Sequence, residues 1–169
     1  MSKIFKIAGN FNQSRCSFDA RVVVENDNRF RGYCKRIVLN SHYSTVFYFI
    51  TGVVAESGGA TGIAFYLLSN ESKNKPLMFV VPDITEAGEC GDYDDFGSDG
   101  SGDGSSRCEA EITTFKEMPY SAQDEEYIKT VCFDNEVDFK KHERLLGNIE
   151  RCRYSLEMAQ AKRRMRNGD

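Results

Sequence analysis

Nowhere in its 169 residues does the chain carry an apolar run long enough to cross a bilayer. The most apolar stretch, Val46 to Ala55, is about half the roughly 20 residues a spanning helix needs, and it is interrupted by Thr51 and Gly52. The opening residues, MSKIFKIAGNFNQS, hold no apolar core of a secretory signal. A cytoplasmic protein with no membrane association is therefore expected. No C-x-x-C pair occurs, which argues against a zinc ribbon or finger. The six cysteines (Cys16, Cys34, Cys90, Cys108, Cys132 and Cys152) are expected as thiols in a reducing compartment. Histidine is scarce, with only His42 and His142, so a Ser-His-Asp or Cys-His site would have to use one of them. No G-x-S-x-G elbow is present, and no G-x-G-x-x-G follows a strand. The glycine-rich run Ser57 to Gly62 lacks the Lys-Ser/Thr of a phosphate-binding loop. Neither a cofactor nor a metal is expected.

What is present describes a globular chain of one ordinary domain, 40% hydrophobic and 28% charged, long enough to bury a core without a disulfide or metal. The net charge of −4 argues against nucleic acid as a default partner. The charge is unevenly placed. Pro82 to Glu111 holds ten acids and one base, Arg107; Lys140 to Asp169 holds nine bases and four acids. The two regions either face each other in the fold or face different partners.

The first two thirds read as strands. Phe18 to Val24 alternates, with Phe18, Ala20, Val22 and Val24 on one side. Glu25 to Asn28 is a turn by its Asn and Asp content. Phe30 to Leu39 resumes, His42 to Ala55 is a long strand, Ser57 to Thr61 a hairpin turn, and Gly62 to Leu68 its return. Leu77 to Val81 and Arg107 to Lys116 complete the set. Along Tyr43 to Val54 and Ile63 to Leu68 both parities are apolar, so these strands must be covered on both faces. Only the C-terminal third can supply the second cover, and it reads as helical. Ser121 with Asp124 opens a first helix, with Tyr127, Val131 and Ile128 as its apolar stripe. A second helix, from about Glu136 to Arg166, repeats Leu145, Ile149, Cys152, Leu156 and Ala159 at steps of four and three. It either docks on the sheet or pairs with a second copy, and a homodimer through residues 137–166 is an open alternative. The expected fold is mainly β with C-terminal helices. An antiparallel up-and-down meander over residues 1–117 curls into a barrel or half-barrel, and a helical extension over residues 118–169 covers one outer face.

Several clusters stand out chemically. The segment from Glu89 to Ser106 is acidic and rich in Gly and Ser, and Asp99, Ser101, Asp103 and Gly104 match the start of a calcium loop. Ala110 stands where such a loop needs Glu, so the segment is expected as an open acidic loop rather than a cation site. Cys90 and Cys108 flank it, either as two small buried hydrophobes or as a pair that oxidation would join. Arg163, Arg164 and Arg166 form the strongest basic cluster; they either complete a helix end, pair with the acidic segment, or contact a partner. With Asp92, Asp94, Asp95, Asp99 and Asp103 they are the candidate partner-binding residues. Arg31, Tyr33 and Lys35 share one side of a strand and are the candidate ligand-binding wall.

The strand Phe30-x-Gly32-x, after one hairpin and before a long aromatic meander, resembles the calycin barrels, the avidin-like and lipocalin-like proteins, over roughly residues 18–117. That resemblance implies a barrel whose mouth takes a small ligand. The tryptophans typical of those pockets have no counterpart here. Gly62 to Asn70 with Pro76 to Asp83 also looks like short bacterial proteins that carry no transferable activity. The leading expectation is a non-catalytic binding protein for a small molecule or a protein partner. The alternatives are a small hydrolase or transferase using carboxylates or a thiol, and a phage- or host-encoded inhibitor whose acidic segment from Asp83 to Asp103 mimics phosphate charge.

Overall fold

The computed structural model describes residues 2–11, 16–39, 42–44, 48–69, 77–92, 108–134 and 149–166. Within them the chain forms β1 (Lys3–Phe11), β2 (Cys16–Val24), β3 (Arg29–Leu39), β4 (His42–Ser44), β5 (Tyr48–Ser57), β6 (Ala60–Ser69), β7 (Leu77–Val81), β8 (Gly88–Asp92) and β9 (Cys108–Met118). Two helices follow, α1 (Ala122–Asp134) and α2 (Ile149–Arg166). Every strand pairing is antiparallel, in the order β2-β1-β9-β8-β7-β6-β5-β3, and β2 pairs again with β3. Eight strands thus close into a barrel, and the short β4 extends the far end of β3.

Local chemistry explains the turns. At the β2–β3 turn Asn28 sits at φ 67°, a conformation asparagine tolerates, and the Asp27 carboxylate accepts the Arg29 amide at 3.1 Å. The β5–β6 hairpin turns on Gly58 and Gly59, both at positive φ, in a two-residue loop. Ser121 caps α1: its hydroxyl accepts the Asp124 amide at 3.3 Å.

The double-sided burial expected of the central strands is what the barrel shows. Ile50, Ile63, Phe65, Leu67 and Phe79 point into the lumen. Phe49, Val53, Ala64, Tyr66, Leu68, Met78 and Val80 point outward and are covered by Ile149, Cys152 and Leu156 of α2. Phe18, Ala20, Val22 and Val24 share the lumen face as their alternation required. A third, smaller core forms where α1 lays Ile128 over Ile4, Val23 and Tyr33.

Three expectations are corrected. Lys3–Phe11 is a strand that the sequence reading passed over. Gly88–Asp92 is also a strand, so the acidic loop begins later than Glu89. The strand expected from His42 to Ala55 is described in two parts, β4 against the end of β3 and β5 against its beginning, with residues 45–47 outside the described residues. In α1 the inward residue is Ile128, while Tyr127 is 58% exposed. Leu145 and residues 93–107 and 137–148 lie outside the described residues.

Candidate functional site: lumen, outer wall and helix clasp

The lumen is filled by aromatic rings. Phe65 and Phe79 stack with centroids 4.6 Å apart and planes 8° from parallel. Phe11 meets Phe79 edge-on at 5.3 Å, Phe18 touches both Phe65 and Phe79 at 5.6 and 5.7 Å, and Phe30 lies 6.4 Å from Phe65. These contacts have the offset and edge geometries that aromatic quadrupoles favour. The core residues around them, including Ile7, Ile50, Ile63 and Val81, are fully buried and apolar. Glycine makes this tight barrel possible at Gly32, where an added Cβ would run into the Arg21 carbonyl oxygen of the neighbouring strand.

The strand side bearing Arg31, Tyr33 and Lys35 is the outer wall. Arg31 is exposed. Tyr33 is only 4% exposed and lies beneath α1, with Tyr127 edge-on to it at 5.8 Å. The Lys35 side chain lies outside the described residues. Phe30 and Cys34, on the other side, face the lumen. Of the three, Tyr33 is the one shown to belong to the α1 docking surface.

The basic cluster divides. Arg163 forks onto Glu86, Nε and Nη2 donating at 3.0 and 3.1 Å, and its Nη2 also sits 2.7 Å from Asp83. Asp83 is held in turn by the amide and hydroxyl of Thr85, at 2.9 and 2.7 Å. Arg164 donates to the Ser57 hydroxyl beside the Gly58 turn. Gln160, 4% exposed, donates to the carbonyls of Ala55 at 3.1 Å and Pro82 at 3.4 Å. Together these side chains clasp the end of α2 to the β5–β6 hairpin and to the loop after β7. Arg166 remains exposed. Of the candidate acids, Asp94, Asp95, Asp99, Asp103 and the Asp92 side chain lie outside the described residues. Sequence reasoning missed Gln160 and Glu86. The buried face Ile149, Cys152, Leu156 continues to position 160 by its next four-residue step, which is the signal that could have found the glutamine.

Burial raises the Asp83 carboxyl, but the Thr85 hydrogen bonds and the Arg163 guanidinium outweigh it and hold the group below its ordinary value of 3.8. The hydrogen bond from Arg163 holds Glu86 below 4.5. A carboxylate depressed in the fold stabilises it fully above its ordinary value, and that contribution fades as the pH falls through the depressed one. Melting curves from about pH 6 to about pH 2 are expected to show stability falling below roughly pH 4. Asp83→Asn is expected to start lower at neutral pH and to follow a shallower slope; an unchanged slope would remove Asp83 from the clasp.

Cys90 and Cys108 are joined by a disulfide across β8 and β9, which corrects the expectation of six thiols. Cys16, Cys34 and Cys152 are buried and free. Burial pushes the Cys34 thiol far up, aided by the Asp19 charge, and pushes Cys152 to about 12 against the opposing effects of Tyr66 and Arg151. Neither is a nucleophile at neutral pH. Among the described residues no three His, Cys, Asp or Glu side chains come together to hold a metal ion, and no helix is long and apolar enough to cross a membrane.

The class is a closed eight-stranded antiparallel barrel with two helices on its outside. Comparison with family models, with curated proteins and with solved structures finds no match to this chain.

Proposed function

We propose that this is a non-catalytic binding protein that recognises a protein partner through the outside of its barrel. The observation that carries the reading is the lumen. A ligand-binding barrel keeps a cavity with a few convergent polar groups. Here stacked and edge-on phenylalanines occupy that place, and the lumen cluster is apolar. The acidic segment supports the choice of partner. Asp83 and Glu86 are engaged by Arg163, and the segment as a whole, ten acids against one base, suits a basic surface.

Native mass spectrometry of the protein incubated with a metabolite panel is expected to show the bare chain. A retained small molecule would overturn the reading. Deleting residues 97–105 is expected to leave the melting temperature within a few degrees while abolishing capture of a partner from the native host. A deletion that unfolds the barrel would make the segment a structural one.

The reading places the protein in the cytoplasm, supported by Cys16, Cys34 and Cys152, which are unpaired thiols. The Cys90–Cys108 bond, with Cα atoms 5.1 Å apart across paired strands, is held inside the folded barrel. Thiol titration of protein unfolded without reductant is expected to leave Cys90 and Cys108 unreactive, and prior reduction to release both. Reactivity of both without reductant would remove the bond from the folded protein.

A further inference from the structure

The barrel-facing side of α2 is Ile149, Cys152, Leu156 and Gln160. At 100° per residue the opposite side runs through Tyr154, Met158, Ala161 and Met165, within a sector of about 60°. That side should be the most polar of a docked helix. Instead Tyr154 is 60% exposed, Met158 43% and Met165 78%. The helix is therefore apolar on two opposite faces, one covered by its own barrel and one bare. The bare residues step by four, three and four, which is the alternation of the two seam positions of a heptad.

We infer that this outer ridge pairs with the same ridge of a second copy, the two α2 helices lying parallel about a two-fold axis. Charge decides the occupant and the direction. Glu157 and Lys162 are both exposed and flank the ridge on opposite sides, five residues apart. In a parallel pair that is the spacing at which one helix's flank meets its partner's, so each copy contributes a Glu157 to the other's Lys162. In an antiparallel two-fold pair each flank would meet itself, setting the Lys162 and Arg166 side against its own positive charge. Ala161 lets the helices approach, and the methionines adapt their shape to the seam. Two heptads bury less than a standard interface, so the dimer dissociates in the range of roughly 10 µM. The barrel holds α2 already formed, so pairing need not fold the helix.

Sedimentation equilibrium of the full chain is expected to rise from 19.1 kDa towards twice that mass as the concentration passes about 10 µM. Met158→Glu, at an exposed position, is expected to keep the melting temperature and stay monomeric. Glu157→Lys is expected to weaken association about tenfold, and Glu157→Lys with Lys162→Glu to restore it. Ala161→Cys is expected to form a disulfide-linked dimer on mild oxidation. A monomer at about 200 µM, a dimer indifferent to Met158→Glu, or a monomer that instead binds anionic vesicles would overturn the inference. Cross-linking of Met158→Cys to Ala161→Cys without Ala161→Cys self-pairing would overturn the parallel arrangement. None of these outcomes bears on the lumen, so the inference can fail while the proposed function stands.

Discussion

Phe79→Ala is expected to destabilise the barrel by about 3–5 kcal/mol, a large share of a small domain's whole stability. The ring is fully buried, stacks on Phe65 at 4.6 Å, and meets Phe11 and Phe18 edge-on. Truncation removes the transfer free energy of the ring and leaves a hole that the β-strands are too stiff to close. It also dismantles the aromatic pairs, each worth about 0.5–1.5 kcal/mol beyond burial. Urea unfolding at constant slope measures the loss. A cost below about 1 kcal/mol would mean that the lumen is loosely filled, and the argument against an interior ligand would weaken with it. The hole left by the ring is apolar on all sides, so it is also expected to take up a small aromatic such as benzene.

The second large effect comes from adding one methyl group. Gly52→Ala places a Cβ against the Ala64 carbonyl oxygen, 2.5 Å from the Phe65 Cβ and 2.7 Å from its Cα. The first and last of these are backbone atoms of the paired strand, so no side-chain rotation relieves the clash and β5 must part from β6. A cost of about 3 kcal/mol is expected. Gly59→Ala supplies the contrast. Nothing lies within 4 Å of its added Cβ, and only its φ of 80° opposes the change, so about 1 kcal/mol is expected. Parallel urea titrations of the two variants test the distinction. Equal costs would mean that backbone conformation, rather than strand approach, governs both.

The strands that were legible in the sequence are those where side-chain pattern and tertiary burial agree. Phe18 to Val24 alternates because one side faces the lumen, and Ile63 to Leu68 is apolar throughout because the lumen lies on one side and α2 on the other. The strands that were not legible owe their pairing to neighbours. Gly88–Asp92 has the sequence GECGD, with little intrinsic preference for a strand. It is extended because it lies between β7 and β9, where an added Cβ at Gly88 would sit 2.5 Å from the Val80 carbonyl oxygen. Lys3–Phe11 turns Phe5, Ile7 and Phe11 to the lumen, but Ile4 on the other side is buried too, beneath Ile128 of α1, so its pattern is no simple alternation. The clasp was half visible. The pairing of terminal bases with acids was among the readings of the sequence, but partner choice depends on a turn after β7 that brings Asp83 and Glu86 to Arg163. Spacing alone could not show that Tyr33 is taken up by α1, because the docking site of a helix is a property of the closed barrel.

The meander has a kinetic consequence. Seven of the eight seams join strands that follow one another along the chain, with only the short β4 between β3 and β5, while β1 must find β9 across more than a hundred residues, with Ile4 opposite Met118. Hairpins such as β5–β6 form on the microsecond scale, whereas that one distant encounter requires most of the chain to be ordered first. The rate-limiting event in refolding is therefore expected to be ring closure, and α1, separated from β9 by three residues, arrives with it.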